Sequence, residues 1–310
     1  PWFAVSTVYA IANQKGGVGK TTTAVNVAAC IAEAGYVALA PDFLSGAGPN
    51  GAIIHYKPEP ATAAPITPAA LYLCDSGAQY LDGTTDVTRT LHFGTPTQHE
   101  RACFTRVLKG NLALKAAVFP HGTSGFQLDA LARAALWQVG LDYRHGTGHG
   151  VGHYLNVHEG PQSISFRPSS HDAKLVPGMT ITDGTRHCVL VPHPPLEPGY
   201  YEDGNFGIRI EDVLLVRPAE TPFSFGGVQY YRFENITMVS LPACIAPLIS
   251  ISIPIPRVPH PTKLIDKSLL TPAEAAMINE YHEQVWAKVS PLLADDQCAL
   301  SWLRRETVPI

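Results

Sequence analysis

Four carboxylates and one imidazole stand where an ordinary soluble chain would carry something else. Asp75 ends the apolar run Leu71-Tyr72-Leu73-Cys74, and Asp86 sits between Thr85 and Val87 inside a β-branched stretch. An antiparallel pairing of the two stretches brings both acids to one end of a sheet. Like charges at that range repel strongly unless a cation lies between them. His149 lies in the glycine-rich run His145-Gly146-Thr147-Gly148-His149-Gly150, where missing side chains let backbone and ligand approach closely. Glu197 opens Glu-Pro-Gly-Tyr-Tyr, and Glu211 closes Gly207-Ile208-Arg209-Ile210-Glu211. Taken singly, each acid reads as a solvated or turn-capping residue and His149 as a satisfied loop histidine. Jointly they form an oxygen-rich set suited to manganese or a similar hard divalent ion. Bridging carboxylates hold a pair of such ions about 3.5–4 Å apart, where a shared water becomes a nucleophile near neutral pH, so the implied chemistry is hydrolysis.

A second chemical signal lies near the start, in Lys15-Gly16-Gly17-Val18-Gly19-Lys20-Thr21-Thr22, between an expected strand over residues 8–13 and an expected helix over 21–34 closed by Gly35. Backbone amides of such a loop cradle phosphates: Lys15, Gly16, Gly17 and Gly19 would shape the cradle, Lys20 would reach the terminal phosphates and Thr21 would hold magnesium. With Gln14 where an ordinary phosphate loop has its first glycine, the run resembles the deviant Walker A motif of partition-type ATPases. That resemblance fades after Gly35, and some forty residues do not bury both faces of a parallel sheet. Residues 1–45 are therefore expected to be a truncated or fused fragment, with weak phosphate binding but no ATP/Mg2+ hydrolysis.

The elements that must position the acids follow from local pattern. Residues 71–75 and 84–93 flank the turn Leu81-Asp82-Gly83 as an antiparallel pair. Helices are expected over 98–118 and 124–139, separated by Pro120-His121-Gly122, and the glycines from 146 to 152 mark a loop. Thr271-Pro272-Ala273-Glu274 has the form of a capping box opening a helix to about 290, with a last helix over 294–306.

The chain has 310 residues, 45% of them apolar, enough for one good core or two small ones, and a net charge of -4. No basic face points to nucleic acid and no polybasic run to a lipid surface. The apolar run over 244–258 is broken by prolines and too short to span a bilayer. Six cysteines without a C-x-x-C pair read as reduced thiols of a cytoplasmic protein. The start, Pro1-Trp2-Phe3, reads as a fragment end rather than a signal peptide.

Five strings closely resemble the catalytic domain of the cytosolic Xaa-Pro aminopeptidase (aminopeptidase P) family: Asp75-Ser-Gly-Ala-Gln-Tyr, Asp82-Gly-Thr-Thr-Asp86-Val-Thr-Arg-Thr, His145-Gly-Thr-Gly-His149-Gly-Val-Gly, Asn156-Val-His158-Glu-Gly and Glu197-Pro-Gly-Tyr-Tyr-Glu-Asp-Gly. The resemblance starts near Gly48-Pro-Asn-Gly-Ala-Ile-Ile-His55-Tyr and runs to Arg305-Glu306-Thr307. It implies an α+β pita-bread fold over residues 46–310 and a dinuclear manganese site. By position, Asp75 would bind one ion, Asp86 and Glu211 would bridge both, and His149 and Glu197 would complete the shells. Glu197 also matches the family's proton shuttle, and His55, His145 and His158 match histidines that line the pocket. The implied substrates are peptides with proline at position two, and a homodimer is the assembly left open. A zinc protease fails on its own motif, because His145-x-x-x-His149 lacks the glutamate of H-E-x-x-H.

The resemblance is interrupted over residues 184–196, directly before Glu197, and over 245–261. Both stretches are expected to be insertions, untranslated sequence carried into a reading frame. A longer loop is entropically cheap, but one ending at a ligand can displace it beyond the ~0.2 Å tolerance of a metal shell. Three readings stay open: the aminopeptidase, a catalytically impaired pita-bread module that holds peptides, and a partition-type ATP-binding protein.

Overall fold

In a computed structural model of the chain, the described residues are 44–54, 56, 59–80, 83–152, 157–168, 173–183, 199–237, 260–294 and 296–310. The phosphate-loop segment, His55, Asn156, Glu197, the whole 184–196 stretch and residues 245–259 lie outside them.

The expected antiparallel pair forms. Strand β1 (Leu44–Ala47) and strand β3 (Gly83–His92) flank the central β2 (Leu71–Tyr80). Asp75 pairs with Thr88, and Gly77 pairs with Asp86. Asp75 and Asp86 are thus diagonal neighbours on one face, since side chains alternate with a period of two. Strand β1 begins at Leu44, opposite Asp75, so it straddles the expected boundary at residue 45.

Helix α1 (Gln98–Lys115) starts at a capping box: the Thr97 hydroxyl accepts from the Glu100 amide, and Glu100 Oε2 accepts from the Thr97 amide at 2.6 Å. It stops three residues before the expected end. Pro120 disfavours helical backbone in the residue before it, and Val118–Pro120 forms β4 instead. Helix α2 (Gly125–Trp137) packs so closely on α1 that a Cβ at Gly110 would lie 2.1 Å from the Ala132 carbonyl oxygen.

The glycine run expected as a loop is in fact a strand, β5 (Gly148–Val151), set between β6 (His158–Ile164) and β7 (Thr180–Thr182). A Cβ at Gly148 would meet the Thr182 carbonyl oxygen at 2.3 Å, and one at Gly150 the Glu159 carbonyl oxygen at 2.0 Å. Here glycine serves close strand approach rather than chain reversal. After β8 (Gly199–Glu202) and β9 (Phe206–Arg209), which form a hairpin, come β10 (Val213–Ala219) and β11 (Tyr230–Asn235). The larger sheet runs β4-β11-β10-β7-β5-β6. Just before β10, an isolated bridge sets Glu211 opposite Thr88 of the three-stranded sheet, closed by the Glu211 amide donating to the Thr88 carbonyl at 3.1 Å.

Helix α3 (Pro272–Val289) opens at the expected Thr271/Glu274 capping box. Helix α4 (Gln297–Glu306) starts later than residue 294 because Asp296 caps it, accepting from the Ala299 amide at 2.9 Å. One core joins Phe104, Val107 and Leu108 of α1 to Leu264, Ile265 and Ile278 of the C-terminal region and to Leu71 and Ile208. A second packs α2 through Leu128 and Ala132 on Ile164, Ile181, Leu214 and Val216 of the larger sheet. Together they fix the two sheets around the acids. His260, within the expected 245–261 insertion, is buried against Tyr281 and His282.

Candidate metal centre

Five of the expected residues converge. One ligand atom each of Asp75, Asp86 and Glu211 lies within 4.8 Å of the others, and so do those of Asp86, His149 and His158. Asp86 belongs to both groups. It comes from β3 and Asp75 from β2; Glu211 stands at the isolated bridge to β3; His149 comes from β5 and His158 opens β6. The two imidazole rings are edge to face, centroids 4.3 Å apart. Glu211 is 0% exposed, Asp86 and His149 3% and Asp75 4%.

His149 Nε2 approaches Asp86 Oδ2 to 3.2 Å and Glu211 Oε1 to 3.6 Å. Those three atoms are buried and make no hydrogen bond, although they face one another. Buried acceptors are rarely left this way. On the far side of the ring, His149 Nδ1 donates to the Gly150 carbonyl at 2.8 Å. A neutral His149 therefore keeps its hydrogen on Nδ1 and turns the Nε2 lone pair to the carboxylates, the arrangement typical of a metal-ligating histidine.

The electrostatics agree. Burial, with the charge of Glu211, raises the Asp86 carboxyl above its usual range. Burial also raises Asp75 well above it, against the counter-pull of Arg209. Burial alone would lower His149, but contact with Asp86 and Glu211 outweighs it and pushes the imidazole up to about 9. Burial and the neighbouring His149 charge push His158 down to about 4. The buried carboxylates resist ionising beside one another and draw a proton onto His149, so an added cation takes that proton's place and relieves the repulsion. The donor set of carboxylate oxygens and imidazole nitrogen fits a hard divalent ion.

Side chains behind the acids hold them. Thr88 Oγ1 donates to Glu211 Oε2 at 2.8 Å, and Arg209 Nη2 donates to Asp75 Oδ2 at 2.6 Å. The Thr90 hydroxyl accepts from the Arg209 amide at 2.9 Å and donates to the Arg209 carbonyl at 3.0 Å, tying β9 to β3. Arg133 fixes the run into β5: it pairs with Asp129 at 2.6 Å and donates to the carbonyls of Tyr143 and His145. None of these partners was assigned a role from sequence. An arginine between two isoleucines in Ile208-Arg209-Ile210, and one inside the β-branched stretch Val87-Thr88-Arg89-Thr90, were the available signal.

His145 is fully buried, with its ring against Tyr143 and Tyr201, and belongs to neither cluster of candidate ligands. His55 and Glu197 lie outside the described residues, as do residues 15–21 of the expected phosphate loop.

Comparison with known proteins places this geometry. The model of metallopeptidase family M24 matches residues 8–218, and that of the C-terminal region of peptidase M24 matches residues 254–310. A probable Xaa-Pro aminopeptidase P of Laccaria bicolor is 53% identical over 269 residues, covering 87% of this chain and 37% of that protein. One of Coprinopsis cinerea is 52% identical over 267 residues, covering 86% and 38%. The crystal structure of X-prolyl aminopeptidase from Caenorhabditis elegans, a cytosolic enzyme with a di-nuclear active site, superposes with a TM-score of 0.73 at 37% identity, covering 89% of this chain and 39% of that one. The chain thus spans under two fifths of the length of these relatives. Its α+β architecture is the pita-bread fold. With a family model matched across most of its length, the chain belongs to metallopeptidase family M24.

Proposed function

We propose that this chain carries the metal-binding catalytic part of a manganese aminopeptidase that cleaves the bond between an N-terminal residue and a penultimate proline. The observation that carries the reading is the meeting of Asp86 Oδ2, His149 Nε2 and Glu211 Oε1, three buried polar atoms without a hydrogen-bond partner, with Nε2 at 3.2 Å from the first oxygen and 3.6 Å from the second. The named relatives and the di-nuclear neighbour support it. Asp75, Asp86, Glu211 and His149 through Nε2, with Glu197, would hold the ions. Bound there, the ions supply Lewis acidity that polarises a carbonyl and acidifies water.

The remaining chemistry belongs to side chains of this chain. Arg209 neutralises part of the charge on Asp75 and fixes its direction. Thr88 leaves Glu211 Oε1 facing the site by occupying Oε2. His158, neutral near pH 7, would offer an uncharged hydrogen-bonding edge to a substrate or to the tetrahedral intermediate. Glu197 would take the proton from the attacking water and pass it to the leaving proline nitrogen. His55 and His145 would steady the substrate. Cytoplasmic location, as in the cytosolic enzyme of Caenorhabditis elegans, and homodimer formation belong to this reading too.

The test is release of the first residue from an Arg-Pro-Pro peptide by the ion-loaded chain, and its loss in Glu197→Gln. A chain that binds manganese and peptide yet releases nothing would instead be a peptide-holding module.

A further inference from the structure

The residue after Glu211 faces the other way. While Glu211 turns to Asp75 and Asp86, Asp212 is fully buried among cations: Arg89 Nη2 donates to its Oδ1 at 2.6 Å and Lys115 Nζ to its Oδ2 at 2.5 Å. The Asp212 amide donates to Asp183 Oδ1 at 2.6 Å, and Asn111 Nδ2 donates to Asp183 Oδ2 at 2.8 Å. Arg89, 1% exposed, is the hub. Its Nη1 donates to the Glu211 carbonyl at 2.7 Å and to the Thr88 carbonyl at 3.0 Å. Those carbonyls belong to the two residues of the isolated bridge. Its Nη2 also donates to the hydroxyl of Tyr281 on α3 at 3.1 Å, which donates in turn to the Thr237 carbonyl at 3.4 Å.

One backbone hydrogen bond, the Thr88 hydroxyl on Glu211 and the Thr90 hydroxyl on Arg209 tie this stretch to β3, and the Arg89 fork adds the grip on both bridge carbonyls that fixes the backbone of Glu211. Only a planar guanidinium reaches two carbonyls with one nitrogen and a carboxylate plus a hydroxyl with the other. Resting on the metal reading above, we propose that Arg89, locked by Asp212 and by Tyr281 from α3, is the positioning residue that sets the spacing of Glu211 and Asp86 and so admits a second ion. The C-terminal region thereby becomes part of the centre's support without touching an ion. A metal shell tolerates errors of only ~0.2 Å, and loss of such support typically lowers affinity about 10–100-fold.

The test titrates Mn2+ into the ion-free 310-residue chain by calorimetry, with electron paramagnetic resonance to read exchange coupling between adjacent ions, in wild type, Tyr281→Phe and Arg89→Lys. Tyr281→Phe removes one hydroxyl and keeps the charge cluster, so its ion-free chain is expected to stay folded, with a melting temperature lowered only by the two hydrogen bonds lost. Its second ion is expected to bind about 10-fold more weakly, with the coupled signal reduced at equal manganese. Arg89→Lys is expected to lose up to about 100-fold; if it does not fold, Tyr281→Phe decides. A wild type that binds a coupled pair and a Tyr281→Phe that binds it equally well overturns this inference alone. A wild type that binds no manganese overturns the metal reading as well.

Discussion

Asp86 is a carboxylate that the ion-free fold holds at a cost. Its pKa is raised by burial and by Glu211, so the ionised form is disfavoured in the fold relative to the unfolded chain at neutral pH. Asp86→Asn keeps the shape and removes that charge. Its ion-free chain is expected to match or exceed wild type in urea midpoint while manganese affinity falls by more than about 100-fold. A parallel loss of both would mean that Asp86 serves the fold and not a site. At this scale the acids were legible, because Asp75 and Asp86 interrupt apolar strands where an unpaired charge is expensive. Their supports were not: Thr88 and Arg89 find Glu211 and Asp212 across more than 120 positions, and only the fold supplies those meetings.

At the scale of elements, capping chemistry was readable and strand approach was not. Thr271/Glu274 was readable as a local hydrogen-bonding pair that needs no distant information, and the structure adds a second such pair, Thr97/Glu100, that the sequence reading did not single out. The run from Gly146 to Gly152 carries the composition of a loop, yet part of it is β5, because the carbonyls of Thr182 and Glu159 crowd it. Gly150→Ala is therefore expected to cost about 3 kcal/mol in urea unfolding and to weaken manganese binding by shifting His149; an unchanged midpoint would remove the close-approach argument. Arg133 carries the same strand's entry. Arg133→Met leaves Asp129 buried without its counter-charge and is expected to cost about 3–5 kcal/mol, only part of it recovered in the double variant Asp129→Leu/Arg133→Met, because the Tyr143 and His145 carbonyls still lose their donor. A double-mutant cycle by urea unfolding checks this, and additive losses would contradict it.

Across the whole molecule, the C-terminal region closes the centre from behind through Tyr281 and seats His282 beside it. Burial pushes His282 down to about 4, while in the unfolded chain it titrates near 6.5. A base with a lowered folded pKa contributes nothing above pH 6.5. As pH falls from 6.5 to 4, the unfolded chain takes up a proton that the fold refuses, so stability drops through that window, by on the order of 3 kcal/mol for this group. Arg89 from β3 opposes charging of His282, and His260 and Tyr281 pack beside it. His282→Gln is expected to flatten the fall of the urea midpoint between pH 6.5 and 4, and an equal slope would assign the acid sensitivity elsewhere.

The site, however, stands on whether the buried acids grip cations. Equilibrium dialysis of the ion-free chain against Mn2+, followed by elemental analysis, measures that directly. Wild type is expected to retain about two ions per chain, and Glu211→Gln, with an unchanged far-ultraviolet spectrum, far fewer. A wild type that retains none, or a variant that retains as many, contradicts the account.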